Sequence, residues 1–391
     1  MSSRLFTPRF VLALGLQFFF GLGFSSFLLL PKYLAEVHHA GAESIGRMVA
    51  AGPIASVAVM FLLARYIDRV GRHWLLAFGS ALIVLSSLGF AAAPELGAGM
   101  YTLRALQGVA FTVYLSAMTS VVADLAPPAR LGQAIALQGA AMLSTNAIAP
   151  AIAEYAAMAF GWTSVFVGSA AFSGTAAAGS LFLHERREAP ASRSATSGLL
   201  SSGYVRAVYA CVVIGVCFGT VATFYQPLAL SLGIHELSDL FVGYTLTAFG
   251  VRVGLSGWLD RFGRKPVAVM AASLYVLVVF LTGSLREGWL FPLGLGLGLA
   301  HGTLWPALSA LAVESVHARA RGAALTYLMG SFNVGMVAST LGFGSVASHF
   351  GYRTVFLLAA VIAASSVAVL AGLGGPGNLA PQRLGTTPGP R

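Results

Sequence analysis

The sequence predicts an all-α membrane protein, with twelve transmembrane helices in two pseudo-symmetric six-helix bundles. Three observations favour this fold class. Of the 391 residues, 57% are hydrophobic and 9% are charged, whereas a soluble domain carries about 25% charged residues. The polar residues are concentrated in turns between long apolar runs, and one charged turn occurs twice, about half the chain apart. Since apolar residues do not alternate with polar ones as in barrel strands, helices have to satisfy the backbone within the lipid.

The apolar runs match the length of membrane spans. A span needs about 20 apolar residues. We predict helices at residues 10–31, 44–66, 73–93, 98–123, 132–158, 163–183, 206–231, 240–259, 266–285, 288–314, 322–348 and 353–373.

Composition and charge divide the chain into four parts. We predict an N-terminal six-helix bundle over residues 1–184, a cytoplasmic linker over 185–205, a C-terminal six-helix bundle over 206–374 and a disordered cytoplasmic tail over 375–391. Most Lys and Arg residues fall in loops on the side that holds both predicted termini. The positive-inside rule therefore places both termini in the cytoplasm of a bacterial-type inner (plasma) membrane.

Matching segments in the two halves indicate a tandem duplication. The charged turns share Asp-Arg-x-Gly-Arg, at residues 68–72 and 260–264, and a second pair of segments shares Phe-Gly followed by an aromatic residue, at 160–162 and 350–352. Duplicated halves of this kind place a substrate site between them, near the middle of the membrane.

On these motifs the chain resembles the major facilitator superfamily over essentially its whole length. The family motif between the second and third helices is Gly-x-x-x-Asp-Arg-x-Gly-Arg-Arg/Lys; Ala64 and Ser256 stand where its first Gly is usual. The resemblance implies a transporter close to the proton-coupled efflux or drug antiporter branches, with this motif as a cytoplasmic gate whose Arg residues reach Asp124 and Glu314. The gating residues that it implies are Asp68, Arg69, Gly71, Arg72, Asp260, Arg261, Gly263, Arg264 and Lys265.

Two charged residues inside predicted spans are candidates for proton coupling. Arg104 opens a segment similar to the family's Arg-x-x-Gln-Gly motif, which the resemblance links to proton movement. An Arg within a span costs at least about 2.5 kcal/mol and needs a partner or water, unless it snorkels to the interface. Glu154 is the only carboxylate predicted inside a span, four residues after Pro150 in a degraded Gly-Pro-x-x-Gly-Gly motif of the antiporter branches. Similar depths predict that Arg104 and Glu154 pair or compete for one proton; a static ion pair is the alternative.

Several polar and aromatic residues are candidates for the substrate cavity. His301 lies near the middle of its predicted helix, where an imidazole can titrate or bind a ligand, or simply bond to a helix backbone. Arg252 lies nearer the cytoplasmic side, where it can snorkel. The predicted cavity residues are Gln107, His301, Trp305, Asn146, Asn333, Tyr225 and Gln226.

The predicted function is secondary active transport of a small molecule by alternating access. We expect proton-coupled efflux of an amphipathic metabolite or drug; the alternative is a proton-coupled uptake permease for a sugar or organic acid. An enzyme is disfavoured because no metal-ligand cluster, nucleophile motif or ATP-binding Gly-x-x-x-x-Gly-Lys-Ser/Thr segment is present. A non-transporting sensor is a third class. The expected partners are a small-molecule substrate, protons and the bilayer, with no cofactor, metal or nucleic acid, and the expected state is a monomer.

Overall fold

The computed structural model describes residues 5–66, 70–92, 95–127, 130–183, 201–252, 262–317 and 320–372. Within these residues the chain is helical and contains no strand, in agreement with the predicted fold class. Residues 185–200 of the predicted linker and the whole predicted tail lie outside the described residues, so the four-part division stays a prediction.

The helices follow the predicted apolar runs. In chain order they are α1 (Pro8–Ser25), α2 (Leu30–Val37), α3 (Ala42–Tyr66), α4 (Arg72–Ala92), α5 (Ala98–Leu125), α6 (Leu131–Phe160), α7 (Trp162–Ser180), α8 (Ser202–Ser231), α9 (Ser238–Gly250), α10 (Arg264–Thr282), α11 (Leu290–Glu314) and α12 (Arg321–Ala371). We refer to α1–α7 as the N-half and to α8–α12 as the C-half.

Many of these helices can cross a bilayer. In the part of the chain that the structure describes, eight helical segments are long and apolar enough, with α1 and α2 counted as one span over Pro8–Val37. The helix α12 has 51 residues, which is about 77 Å of helix against a hydrocarbon core of about 30 Å. It is therefore long enough for two crossings.

A glycine divides α12 into the two predicted spans. Gly351 has φ 79° and ψ 164°, and Gly161, between α6 and α7, has φ 80° and ψ 167°. Glycine tolerates a positive φ because it lacks a Cβ. The sequence repeat around these two glycines is therefore also a repeat in backbone geometry.

The first predicted span is longer than expected. The prediction ended it at Pro31, but a 3-10 turn over Ser26–Leu29 leads into α2, which continues to Val37. Pro31 lies in the first turn of α2, where a missing N–H breaks no helical hydrogen bond. Lys32, one residue beyond the predicted end of this span, lies in α2 and is 4% exposed.

The apolar core follows the two halves. Two buried clusters come from the N-half helices, and a third comes mostly from α8–α12. Between the halves, α3 packs against α12 and α6 packs against α9. A Cβ on Gly46 would lie 2.1 Å from the carbonyl oxygen of Thr340, so α3 and α12 meet at their backbones.

Candidate functional site

A buried ion pair lies at one end of the bundle, which we call the Lys32 end. Lys32 Nζ is 2.6 Å from Glu154 Oε1, and the two side chains are 5% and 6% exposed. Lys32 Nζ also donates a hydrogen bond of 2.7 Å to the carbonyl oxygen of His235. Because α2 and α6 both belong to the N-half, the ion pair lies within that half, and the bond to His235 reaches the C-half.

Glu154 also binds the start of a C-half helix. The backbone N–H of Leu237 donates to Glu154 Oε1 at 2.9 Å, and the N–H of Ser238 donates to Oε2 at 2.8 Å. The first N–H groups of a helix have no partner within it and form the positive end of its dipole, which favours an anion. The ionised carboxylate therefore holds the N-terminus of α9.

Gln226 of α8 completes the contact between the halves. Its Oε1 accepts from the backbone N–H of Lys32 at 3.0 Å, and its Nε2 donates to the carbonyl oxygen of Leu28 at 2.7 Å. Lys32, Glu154, Gln226 and the backbone of residues 235–238 form what we call the Lys32–Glu154 cluster. Its hydrogen bonds keep this end of the bundle closed.

Tyr225 packs beside this cluster. Its hydroxyl donates to the carbonyl oxygen of Leu237 at 3.0 Å, and its ring meets Phe241 edge-on. Tyr225 and Gln226 are fully buried. Both were predicted to line the substrate cavity, but the structure places them in the closed Lys32 end.

Water can reach the edge of the cluster. Lys32, Glu36, Trp162 and His235 line an open depression at the Lys32 end, and Glu36 Oε1 is 3.9 Å from Lys32 Nζ. The buried ion pair therefore adjoins this depression through Lys32.

The predicted pairing of Arg104 with Glu154 was wrong. Arg104 Nη1 instead donates to Gln107 Oε1 at 2.7 Å, and the guanidinium lies against Gly52 of α3. Within the described residues, Arg104 Nε and Gln107 Nε2 are buried without a hydrogen-bond partner. Depth along the membrane predicted the pair, whereas the direction in which each side chain leaves its helix decides the contact.

An aromatic box surrounds His301 in α11. His301 is 9% exposed, and its Nδ1 is 3.3 Å from the hydroxyl of Tyr275. The other rings of the box are those of Phe218, Tyr244, Trp305 and Phe332, with centroids 5.2–6.3 Å from that of His301. The structure thus brings together two predicted cavity residues, His301 and Trp305.

Arg252 lies just beyond the end of α9 and is half-buried. A Cβ on Gly139 of α6 would lie 3.2 Å from Arg252 Nη1. The cation therefore lies where the two halves meet.

The two predicted asparagines differ in their surroundings. Asn146 Oδ1 accepts from the Ser25 hydroxyl at 2.9 Å, and Asn146 lines a small apolar cavity between the halves together with Phe218 and Tyr244. Asn333 is half-buried, and no hydrogen bond joins its side chain to another described residue.

Equivalent ion pairs lie at the opposite end of the bundle. Arg72 Nη1 pairs with Asp124 Oδ2, and Arg264 Nη1 pairs with Glu314 Oε1, so the contacts expected of these two arginines are present. Gly263 precedes α10 with a φ of 78°. The gating role of Gly71, Gly263 and Lys265 stays a prediction, and Asp68, Arg69, Asp260 and Arg261 lie outside the described residues.

Comparison with known families shows to which class of protein this chain belongs. The model of the Major Facilitator Superfamily matches residues 13–253 and 207–386. The chain belongs to the Major Facilitator Superfamily. It is therefore an integral membrane transporter, and this confirms the predicted family and the predicted transport class.

Individual members of the superfamily are only distantly similar. A multi-drug resistance efflux pump PmrA homolog from Lactococcus lactis is 24% identical over 368 residues, 87% of this chain and 88% of that protein. The multidrug resistance protein MdtG from Dickeya zeae is 26% identical over 381 residues, 88% of this chain and 89% of that protein. The crystal structure of the nucleoside transporter NupG matches with a TM-score of 0.73 and 16% identity, over 93% of this chain and 98% of that chain. The likeness to NupG shows the superfamily fold.

Sequence reasoning missed Lys32 and gave Arg252 no role beyond snorkelling. Lys32 directly follows Pro31 within an apolar run, and a lone buried acid such as Glu154 needs a cation nearby. Together these two observations indicate Lys32 as the partner of Glu154. The predicted span ended one residue before Lys32, however, so its position inside a helix was missed.

Proposed function

We propose that this transporter exports an amphipathic metabolite or drug in exchange for protons, and that Glu154 is the proton-binding group. The observation that carries the proposal is the Lys32–Glu154 cluster. It pairs a buried carboxylate with Lys32, which lines an open depression, and attaches that carboxylate to the N-terminus of a helix in the other half. The full-length similarity to relatives named as multidrug resistance proteins supports the direction of transport.

The charge state of Glu154 links proton binding to opening. While it is ionised, Glu154 accepts two backbone N–H groups of the C-half, and hydrogen bonds to a charged group are worth about 1.5–3 kcal/mol each. A protonated Glu154 accepts them more weakly, and the Lys32 end becomes free to open. We place this end on the outer side of the membrane, in agreement with the positive-inside rule.

The groups around Glu154 set its response to pH. Lys32 faces it from α2, with Glu36 on the same helix; in the C-half, the carbonyl oxygen of His235 binds Lys32 and the Tyr225 hydroxyl binds the carbonyl of Leu237 beside it. For the proton gradient to drive export, a proton taken up from outside has to leave to the cytoplasm after the Lys32 end has closed. In the part of the transport cycle in which no proton is carried, the substrate would occupy the space between the halves.

Transport in proteoliposomes tests this function. Purified protein is reconstituted, a pH gradient is imposed, and the flux of amphipathic dyes of different charge is followed. We expect flux opposite to the proton gradient, and we expect Glu154→Gln to lose the response to the gradient. Accumulation in inverted rather than right-side-out vesicles would support export; accumulation only in right-side-out vesicles would support the uptake permease instead.

A further inference from the structure

The small cavity between the halves contains one amide side chain, that of Asn146 in α6. The other described residues that line it are apolar or aromatic, and none carries a charge. Asn146 and Leu28 belong to the N-half, whereas most of the wall, including Phe218, Phe241 and Tyr244, belongs to the C-half. A ligand that fills this cavity therefore touches both halves.

The amide of Asn146 has one end bound and the other available. Its Oδ1 accepts from the Ser25 hydroxyl at 2.9 Å, whereas no hydrogen bond joins its Nδ2 to another described residue. An amide nitrogen carries two N–H donors, and a polar group in apolar surroundings costs free energy unless it has a partner. The Nδ2 of Asn146 is therefore suited to donate to an acceptor on a ligand.

Two rings of the cavity wall also belong to the aromatic box. The ring centroids of Phe218 and Tyr244 lie 5.2 and 5.9 Å from that of His301 and 6.2 Å from each other. Aromatic rings pack favourably at such separations, offset or edge to face, and a further flat ring can join them. The C-half part of the wall thus favours an aromatic ligand.

The same wall disfavours an ionised ligand. A charge moved from water into apolar surroundings without a partner costs far more than an uncharged polar group does. The described residues around the cavity offer neither a carboxylate nor a cation as that partner. The cavity has room for about one water molecule in this conformation, so a larger ligand would enter after the halves have moved apart.

We propose that the transported molecule is an uncharged aromatic compound with a hydrogen-bond acceptor, such as a carbonyl oxygen, which binds Asn146 Nδ2 while the ring packs against Phe218 and Tyr244. This inference rests on the proposed transport function and specifies the substrate class. The bound molecule connects α6 of the N-half to α8 and α9 of the C-half. An ionised analogue has no partner there, and an analogue without an acceptor leaves Asn146 Nδ2 unpaired.

Four naphthalene derivatives test the inference. The probes are 1-acetonaphthone, 1-ethylnaphthalene, 1-naphthoate and 1-naphthylethylamine: a neutral ketone, a hydrocarbon, an anion and a cation. Their binding to the full-length protein in lipid nanodiscs is measured by equilibrium dialysis, and empty nanodiscs correct for partition into lipid. We expect the ketone to bind about two- to tenfold more tightly than the hydrocarbon, because one hydrogen bond between neutral groups is gained. It should bind at least about tenfold more tightly than either ion.

Variants locate the site. Asn146→Leu should reduce the ketone-to-hydrocarbon preference to near unity and leave hydrocarbon binding nearly unchanged, because the apolar wall remains; Asn146→Ala gives the same test if Leu is not accommodated. The matched control is Asn333→Leu, the same change at a half-buried residue of α12 that does not line the cavity, and it should keep the preference. Phe218→Leu should weaken the binding of ketone and hydrocarbon alike. Thermal unfolding of each variant verifies that it is folded.

Four outcomes would overturn the inference. They are equal binding of ketone and hydrocarbon, binding of either ion as tight as that of the ketone, a preference that persists in the Asn146 variants, and a preference that disappears in Asn333→Leu.

Proton movement in proteoliposomes separates this inference from the proposed function, and a trapped pH-sensitive dye measures it. If the ketone is preferred at Asn146 but its addition starts no proton movement, the site stands and the export function fails. If charged dyes are exported in exchange for protons and the ketone is not preferred, the export function stands and the proposed site fails.

Discussion

Replacing Glu154 by Gln removes a charge and keeps the shape of the side chain. We expect the Lys32 end to open in Glu154→Gln at every pH, because the amide imitates the protonated acid. In the native protein the carboxylate accepts hydrogen bonds from the N–H groups of Leu237 and Ser238 at 2.9 and 2.8 Å. The amide has one oxygen, so it can accept one of them, and its NH2 group has to face the other.

The size of the effect follows from these two bonds. Two hydrogen bonds to a charged group contribute about 3–6 kcal/mol, and one bond between neutral groups contributes about 0.5–1.5 kcal/mol. The closed end therefore loses about 2–5 kcal/mol relative to the open end, where water solvates the carboxylate. Since each 1.4 kcal/mol is a factor of ten, the ratio of open to closed molecules rises about thirtyfold to a few thousandfold.

Spin-label distances measure this ratio. Glu95 and Glu287 are exposed residues in loops of the two halves at the Lys32 end, and Cys substituted at both can carry labels. The native Cys211 and Cys217 are buried, so we expect the labels at the introduced positions. Double electron–electron resonance then gives the fractions of the short and long distances as the pH is varied.

The control variant is Glu36→Gln, which removes an acid 3.9 Å from Lys32 Nζ without contacting α9. It should keep the closed population and still open as the pH falls, because both hydrogen bonds from the N–H groups of Leu237 and Ser238 to Glu154 remain. A change in the open-to-closed ratio of less than about threefold in Glu154→Gln, roughly 0.7 kcal/mol, would rule out this role of Glu154. Opening of this variant with falling pH, as in the native protein, would rule it out as well.

Three further changes test other contacts. The charge swap Lys32→Glu with Glu154→Lys should not restore gradient-driven flux in proteoliposomes, because an ammonium would then face the N–H groups of α9; restored flux would show that only the ion pair matters. Gly46→Val should hinder closure, because a carbonyl oxygen of α12 lies 2.1 Å from the place of a Cβ; unchanged spin-label distances would contradict this. Arg264→Gln breaks the exposed ion pair with Glu314 and should lower the transport rate. The thermal unfolding midpoint should stay nearly constant, since exposed ion pairs contribute at most about 1 kcal/mol. A large fall in that midpoint would show a structural role instead.

The fold was predictable because its signals are local. A run of apolar residues defines a membrane span without reference to any other part of the chain. The Phe-Gly-aromatic repeat likewise identified the turns at Gly161 and Gly351, where the backbone needs a positive φ. The exception is the end of the first span, because the same Pro can stop a helix or start the next one.

The site was less predictable because it depends on contacts between distant helices. Depth in the membrane placed Arg104 and Glu154 at one level, but Glu154 faces α2 and α9 while Arg104 faces Gln107 and α3. Rotation about the helix axis decides such a contact, and the low amphipathicity of a buried membrane helix leaves it undefined in the sequence. Prediction of Lys32 as the partner of Glu154 would also have required the knowledge that the helix continues beyond Pro31.

Lys32 and Glu154 have different tasks, and a substitution of Lys32 distinguishes them. Both residues belong to the N-half, so their ion pair can persist when the Lys32 end opens. Opening breaks the hydrogen bonds between Glu154 and the N–H groups at the start of α9. It also breaks the hydrogen bond between Lys32 and the carbonyl oxygen of His235. Lys32 therefore acts mainly by keeping Glu154 ionised while it is buried. In Lys32→Met, Glu154 keeps its acceptor oxygens but loses the nearby cation.

The two variants should consequently differ in their response to pH. The ionised carboxylate stabilises the closed end, and removal of a cation favours the protonated form, so Lys32→Met should open at a higher pH than the native protein. The spin-label fractions measured against pH should therefore shift to higher pH in Lys32→Met and become flat in Glu154→Gln. A flat response in both variants would mean that Lys32 itself is required to hold the halves together, through His235, and not only to keep Glu154 charged.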